Sequence, residues 1–524
     1  MRPGRALALL IAGLSALAAR GEAQVGVKQV GFLKASNPDA MDHFGCGGVQ
    51  QGHTGRGVAL SGDGTTMAVG APHEASGAKG VNGNQRDNSV FEAGAVYVYT
   101  RAGSGWAQQA YLKASNPQMS AGFGHFVALS DDGNTLAVSA YWESSSAKGI
   151  DGNQQDESIP QAGAVYVFTR QGATWSQQAY IKASNTGEAG TDDSFGEGDQ
   201  FGFSLAMSGD GSTLAVGALT EDGGTPGING NQADNSAASA GAIYVFTRTG
   251  RAWSQQAYVK SSPIDAGDLF GYAVALSRDG SVMAVGAFDE DGSARQVNGP
   301  NDNRAGGSGA AYVFTRTGGT WSQQAYIKPS NIEPQDAFGV DVALSDDGTT
   351  LLVGSLDEDC AATTVNAPGC DSDWRDDLSM GAAYVFVRAG DTWSQQAFLK
   401  ASNTGPNDTF SERLSLSGDG NVAIIGASVE DGSAKGINGR NDDAAIDAGA
   451  VYLFTRTGTT WRQQAYIKGA DTEAFDQFGG SVSLDRSGRL LVVGAPGDDS
   501  GTARTPADKS VEESGAVYTF SLTR

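Results

Sequence analysis

One motif, Gly-Ala-x-Tyr-x-aromatic, recurs seven times along the 524 residues: Gly94 to Tyr99, Gly163 to Phe168, Gly241 to Phe246, Gly309 to Phe314, Gly381 to Phe386, Gly449 to Phe454 and Gly515 to Phe520. Successive copies start 69, 78, 68, 72, 68 and 66 residues apart. A chain with this period is one supersecondary unit stacked many times, because a single copy cannot bury its own apolar face.

The third copy shows what the unit is. Phe201 to Met207 alternates as a strand does, and Asp210-Gly211 supplies the positive-φ chemistry of a tight hairpin. Leu214 to Ala218 is short, small and apolar, which suits a strand crowded near an axis. A long polar loop, Leu219 to Ala240, leads to Gly241 to Arg248, rich in β-branched and aromatic residues. Thr249-Gly250 turns the chain into a fourth strand, Trp253 to Lys260. Two hairpins joined by a long loop make a four-stranded antiparallel blade, and radial repetition of blades gives an all-β propeller.

The ends complete each other. The last copy stops at Thr519 to Arg524, after its third strand. The missing segment stands near the N-terminus, where Val27 to Lys34 followed by Ala35-Ser36-Asn37 matches Trp175 to Lys182 followed by Ala183-Ser184-Asn185. The expectation is a seven-bladed ring over residues 24–524, closed by a strand within 25–37, with no exposed sheet edge. Residues 1–23 read as a secretory signal: Arg2 and Arg5, an apolar run from Ala6 to Ala19, then Gly21-Glu22-Ala23. That run is short for a membrane span and no second one follows, so the expectation is a secreted, periplasmic or cell-surface protein without a transmembrane segment.

Phe123-Gly124, Phe201-Gly202, Phe270-Gly271, Phe338-Gly339 and Phe478-Gly479 open their copies. Gly70-Ala71-Pro72, Gly217-Ala218, Gly286-Ala287, Gly426-Ala427 and Gly494-Ala495-Pro496 close the second strands. These pairs resemble the FG-GAP repeats of the integrin α-subunit propeller, in an exported, propeller-only form. Phe410-Ser411, Ser139-Ala140 and Gly354-Ser355 depart from the pattern. The resemblance implies a binding or adhesion role. It also brings to mind the calcium loops of integrin blades, but the first hairpin here is Ser-Gly-Asp-Gly-like, too short for about six oxygen ligands.

A net charge of −24 repels phosphate backbones and anionic membranes. Cations, or proteins with basic patches, fit better. Much of the acid lies in the long loops between second and third strands. One copy carries Glu221, Asp222, Asn229, Asn231 and Asp234; the next Asp289, Glu290, Asp291, Asn298 and Asp302; another Glu430, Asp431, Asn438 and Asp442. The first two copies keep Glu74, Asn82, Asn84, Asp87 and Glu143, Asp151, Asn153, Asp156. Such oxygens suit Ca²⁺. The same residue types also shape loops through Asx turns and positive φ, and recurrence in five blades favours architecture.

Lysines close the outer strands (Lys34, Lys113, Lys182, Lys260, Lys328, Lys400, Lys468) and are read as guards against edge pairing. Six arginines end third strands, and tryptophans from Trp106 to Trp461 open outer strands, where packing between blades suits them better than a glycan-stacking ring. Cys360 and Cys370 are expected to pair, leaving Cys46.

No P-loop, His-Glu-x-x-His or Gly-x-Ser-x-Gly occurs. What breaks the repeat is the insert from Cys360 to Trp374, Trp142, and the four histidines, His43, His53, His73 and His125. The reading is therefore a non-enzymatic propeller binding a protein or glycan through its loop face. A polysaccharide hydrolase or lyase and a structural envelope or matrix component are the alternatives.

Overall fold

The computed structural model describes residues 25–523 apart from 47–54, 104, 188–197, 369, 371–377, 441 and 503–507. Seven sheets of four antiparallel strands stand in a ring, six of them ordered as their strands follow in the chain. In the third blade the strands are Phe201–Met207, Thr213–Ala218, Ala242–Thr249 and Ala252–Val259, close to the sequence reading. The seventh blade takes its outer strand from the other end of the chain: Gly26–Leu33 pairs antiparallel with Ala516–Thr523, from Gly26 opposite Thr523 to Leu33 opposite Val517. The expected segment 25–37 thus narrows to an eight-residue strand, with Lys34 to Asn37 leading into the next loop.

The two signature glycines meet between blades. Gly70, on the second strand of blade one, lies so close to blade two that an added Cβ would sit 2.0 Å from the Gly124 carbonyl oxygen. Gly286 faces Gly339 in the same way at 1.9 Å. The Phe-Gly glycine itself has φ near +105°, a conformation that strains any side chain. Where serine replaces a glycine it gains a hydrogen bond. Ser139 Oγ accepts from the Phe126 N–H at 3.0 Å, and Ser411 Oγ, at φ +93°, accepts from the Ser355 N–H at 3.1 Å. The preceding Phe is fully buried and meets a third-strand Tyr edge-on, as Phe123 does Tyr166 at 5.3 Å.

On the face of the 1–2 hairpins a circle of backbone hydrogen bonds links all seven blades. Asp63 donates to Asp131, Asp131 to Gly209, Gly209 to Arg278, Arg278 to Asp346, Asp346 to Gly418, Gly418 to Arg486, and Arg486 to Gly62, at 2.8–3.2 Å. Within each hairpin the aspartate shapes the turn; Asp63 accepts from Ser61 Oγ at 2.6 Å and from the Thr65 N–H at 2.9 Å. The inner strands line an axial cavity of about 220 Å³. Arg486, bonded to Asp131 and Asp346, spans its hairpin end, and Arg56 crosses the axis to Asp341.

Aromatic packing fills the seams. Trp175, Trp253, Trp321, Trp393 and Trp461 are each at least nine-tenths buried, and each indole N–H donates to a glutamine of the preceding outer strand, as Trp175 does to Gln109 at 2.9 Å. The third-strand arginines lie over these rings, Arg170 at 5.4 Å from the Trp175 centroid. These indoles are blade-to-blade mortar and present no face for stacking a sugar. Cys360 is bonded to Cys370, and Cys46 is buried.

Candidate binding site on the loop face

All 2–3 loops and blade-to-blade loops emerge on one face, and beneath them each blade repeats a buried polar anchor. Glu74 accepts from Lys113 Nζ at 2.8 Å and from Tyr111 Oη at 2.8 Å. Glu143, Glu221, Glu290 and Glu430 hold Lys182, Lys260, Lys328 and Lys468 at 2.7–2.9 Å, each with a tyrosine hydroxyl from the same outer strand. In blade seven Asp498 takes Lys34 at 3.2 Å. In blade five Phe398 replaces that tyrosine, Tyr384 bonds Glu358 instead, and Lys400 donates to the Gly381 carbonyl.

The outer-strand lysines are therefore not edge guards, which corrects the sequence reading. All seven are buried, four with no exposed area. Burial draws their proton affinity down while the facing carboxylate pulls it back up. The anchor also reaches across the seam: Asn116, which follows the outer strand of blade one, donates to Glu143 of blade two at 3.0 Å.

The acids singled out as calcium ligands are engaged in shaping the loops. Asp222 accepts from the Ser239 N–H, Asn231 from the Ala233 N–H, and Asp234 from Thr225 Oγ1. Asp291 accepts from Gly307 N–H, Asp302 from Ser293, Asp431 from the Asp447 N–H, and Asp442 from Ser433. Asn229 sits at φ +55° and its Oδ1 accepts from the Tyr258 N–H at 3.0 Å, fastening the loop to the outer strand. Asn298 and Asn438 repeat that bond. Asp289 is half-buried beside Asp291, and both effects raise its pKa. Among the described residues no group of three or more His, Cys, Asp or Glu side chains is placed to hold a metal ion.

A second set of acids went unnoticed in the sequence. Six blade-to-blade loops carry a buried aspartate two residues before the blade's opening Phe: Asp42, Asp199, Asp268, Asp336, Asp408 and Asp476. Each accepts a backbone N–H of its own loop, as Asp268 does from Asp265 at 3.1 Å. Burial, with the neighbouring anchor carboxylate, pushes Asp42, Asp199 and Asp268 up to about 8, Asp336 to about 9, and Asp408 and Asp476 to about 7. A raised folded-state value means that the fold keeps a proton the unfolded chain releases near 3.8. That stabilisation is full below about 4 and lost as pH rises toward 7–9. The melting temperature is expected to fall between pH 5 and pH 7.5, below the range where Lys400, drawn down to about 8, titrates. Asp268→Asn is expected to flatten that slope and stabilise the protein at pH 7.5 by about 2–4 kcal/mol, read from melts across this range.

The sevenfold pattern breaks at the junction of blades seven and one. There a cavity of about 350 Å³ opens among Asp39, Met41, Asp42, His43, His73, Asn88, Phe91, Glu92 and Glu513. The loop carrying Met41 and His43, both with φ above +50°, is zipped to the last blade by Met41 N–H to Glu512 O and His43 N–H to Glu513 O. This sets His43 Nε2 2.9 Å from Glu513 Oε2 and its ring 4.6 Å from that of His73, tilted by 43°. His73 Nδ1 lies 4.0 Å from Glu92 Oε1. Burial lowers the pKa of His43 despite Glu513, and burial with the nearby His43 holds His73 at about 4. Both imidazoles are neutral at pH 7. His43 Nδ1 is buried with no hydrogen-bond partner. At the rim Phe91 is 61% exposed and Met41 55%.

The histidines were the signal for this site, yet only two of them belong to it. His125 packs against Tyr141 at 4.3 Å instead, Trp142 lies against Tyr141 at 4.5 Å, and His53 falls outside the described residues. Phe91, Glu92 and Glu513 gave no signal of their own.

The architecture and the paired glycines define an FG-GAP β-propeller. The model of the FG-GAP repeat matches residues 106–168, 253–314, 321–386, 393–454 and 461–520, more than half of the chain, and the chain belongs to this family. No curated protein matches it in sequence. Solved structures of similar shape include a putative 6-phosphogluconolactonase from Bacteroides uniformis (10% identity, 79% of this chain and 85% of that one, TM-score 0.43). Another is the Cps50 (Swd1) propeller domain of Myceliophteria thermophila (9% identity, 92% and 100%, TM-score 0.45). A third is the periplasmic gluconolactonase PpgL of Pseudomonas aeruginosa (14% identity, 79% and 85%, TM-score 0.41).

Proposed function

We propose that this chain is a non-enzymatic, exported binding propeller that recognises an extracellular protein or glycan through its loop face, with the cavity between blades seven and one as the point of contact. The observation that carries the reading is the departure from repetition. Five other junctions carry the same buried aspartate as this one, which alone among the described residues adds two histidines, and sets an exposed aromatic ring and an exposed carboxylate around a cavity. Exposed apolar groups rimmed by polar ones mark interaction sites. Export rests on the leader-like residues 1–23, which lie outside the described residues. Among the described residues no helix is long and apolar enough to cross a membrane.

The test is an array of glycans and extracellular proteins probed with residues 24–524 and with Phe91→Ala. A ligand whose binding falls at least about tenfold in the variant is expected. Ligands bound equally by both forms would move the site elsewhere on the molecule. Turnover of a glycan, lost in His43→Gln, would replace binding by hydrolysis or elimination, for which the His43–Glu513 contact supplies a basic group. Repeating the array in EDTA tests a calcium requirement.

A further inference from the structure

We propose that the cavity between blades seven and one binds an organic cation, an ammonium or guanidinium on an apolar stem. This deepens the binding reading above and rests on it. The cavity has two kinds of surface. Its rim is apolar and aromatic, through Met41, Phe91 and the alanines Ala40 and Ala75. Its charge is carried by Asp39, Glu92 and Glu513, and none of the residues lining it is lysine or arginine. The nearest anchor lysines, Lys113 and Lys34, are buried and committed to Glu74 and Asp498.

The histidines do not offset the acids, because burial keeps both imidazoles uncharged at pH 7. Asp42 holds its proton up to about 8 and adds no charge of its own. Three carboxylates thus line the cavity without a counter-ion among the described residues. Glu513 keeps 42% of its side chain exposed and Glu92 20%, so both are accessible to a ligand. With Nε2–H donating to Glu513, the unpartnered Nδ1 of neutral His43 is a buried acceptor lacking a donor. A cation satisfies this arrangement in three ways: charge against Glu92 and Glu513, the π-face of Phe91, and an apolar wall for its methylenes. An anion is repelled, and a neutral sugar would leave the carboxylates uncompensated.

Such a cation has two sources, a free amine or a lysine or arginine side chain on a partner protein. Titration calorimetry at low salt distinguishes them, using N-acetyl-lysine amide, N-acetyl-arginine amide, a lysine-rich peptide and, as the uncharged control, the ε-acetylated lysine amide. Binding of the charged probes is expected, at least about tenfold tighter than the acetylated one and weakening with salt. Glu513→Gln and Phe91→Ala should each lower affinity about fivefold to tenfold, while Asp391→Asn on the opposite face leaves it unchanged. A peptide binding about a hundredfold tighter than the single residues assigns the site to a partner protein; equal affinities assign it to a small amine. Equal binding of acetylated and charged lysine overturns the proposal. Failure of every cation, with a glycan from the array still lost in Phe91→Ala, overturns the cation but keeps the binding site. If nothing binds this face, the broader reading fails as well.

Discussion

Deleting residues 25–34 is expected to abolish cooperative folding of the isolated chain. The loss is far larger than that of ten residues from an ordinary terminus. Gly26–Leu33 fills the full length of Ala516–Thr523, so its removal opens a backbone edge on the last blade. It also removes Lys34, leaving Asp498, which is 1% exposed, without its cation. Breaking a buried pair by removing one partner costs about 3–5 kcal/mol on its own, and the lost strand adds its apolar contacts with Phe520 and Leu522. Circular dichroism melts and size-exclusion chromatography should show aggregates or a melting midpoint lowered by more than about 10 °C. A monomer with an unchanged melt would mean that the ring does not depend on this strand.

The second large effect is expected from removing a single buried charge under the loops. Lys182 and Glu143 are both completely buried and 2.8 Å apart. Lys182→Met should destabilise the protein by about 3 kcal/mol, because it strands a carboxylate away from water. Glu143→Leu should cost more, since Asn116, Tyr180 and Ser145 also donate to that carboxylate. Joining Lys182→Met with Glu143→Gln, which keeps much of the hydrogen bonding, should recover a substantial part of either loss. Denaturant midpoints of Lys182→Met, Glu143→Gln and the variant carrying both give the coupling; additive losses would show that the pair acts as two independent polar residues.

The architecture was legible because repetition amplifies weak signals. Asp210-Gly211 alone marks one hairpin, but seven copies of the same order of strands mark a blade, and Val27 to Lys34 matching Trp175 to Lys182 marks the closure. The lysines were misread for a physical reason. A charged residue at the end of an outer strand looks solvated unless its partner is known, and in five blades the partner lies on a loop one hairpin away. Lys113 and Glu74 are 39 residues apart, and Lys328 and Glu290 are 38 apart. That nearly constant offset, repeated blade after blade, was the signal that would have paired them. The aspartates two residues before an opening Phe went unnoticed, since their burial comes from the loop folding over them.

The junction cavity was legible only in part. His43 and His73 stand out because no other copy has histidine at either place, yet the Glu513 beside His43 lies 470 residues away. No local pattern connects them, and ring closure alone brings them together. Asn229 and its equivalents show the opposite case. As calcium ligands they were one of two readings of the same chemistry, and their positive φ and bonds to the outer strand give them the loop-shaping role.

The most direct measurement is a cross-link between the two chain ends. Lys28 stands opposite Ser521 in the closing pair, so Lys28→Cys with Ser521→Cys places two thiols across one antiparallel register. Mild oxidation of the monomer, followed by proteolysis and mass spectrometry, is predicted to yield a disulfide-linked peptide containing both positions, with the melting temperature unchanged or raised. Finding both thiols free in folded, oxidised monomer, or joined only between separate chains, would contradict a ring closed on itself.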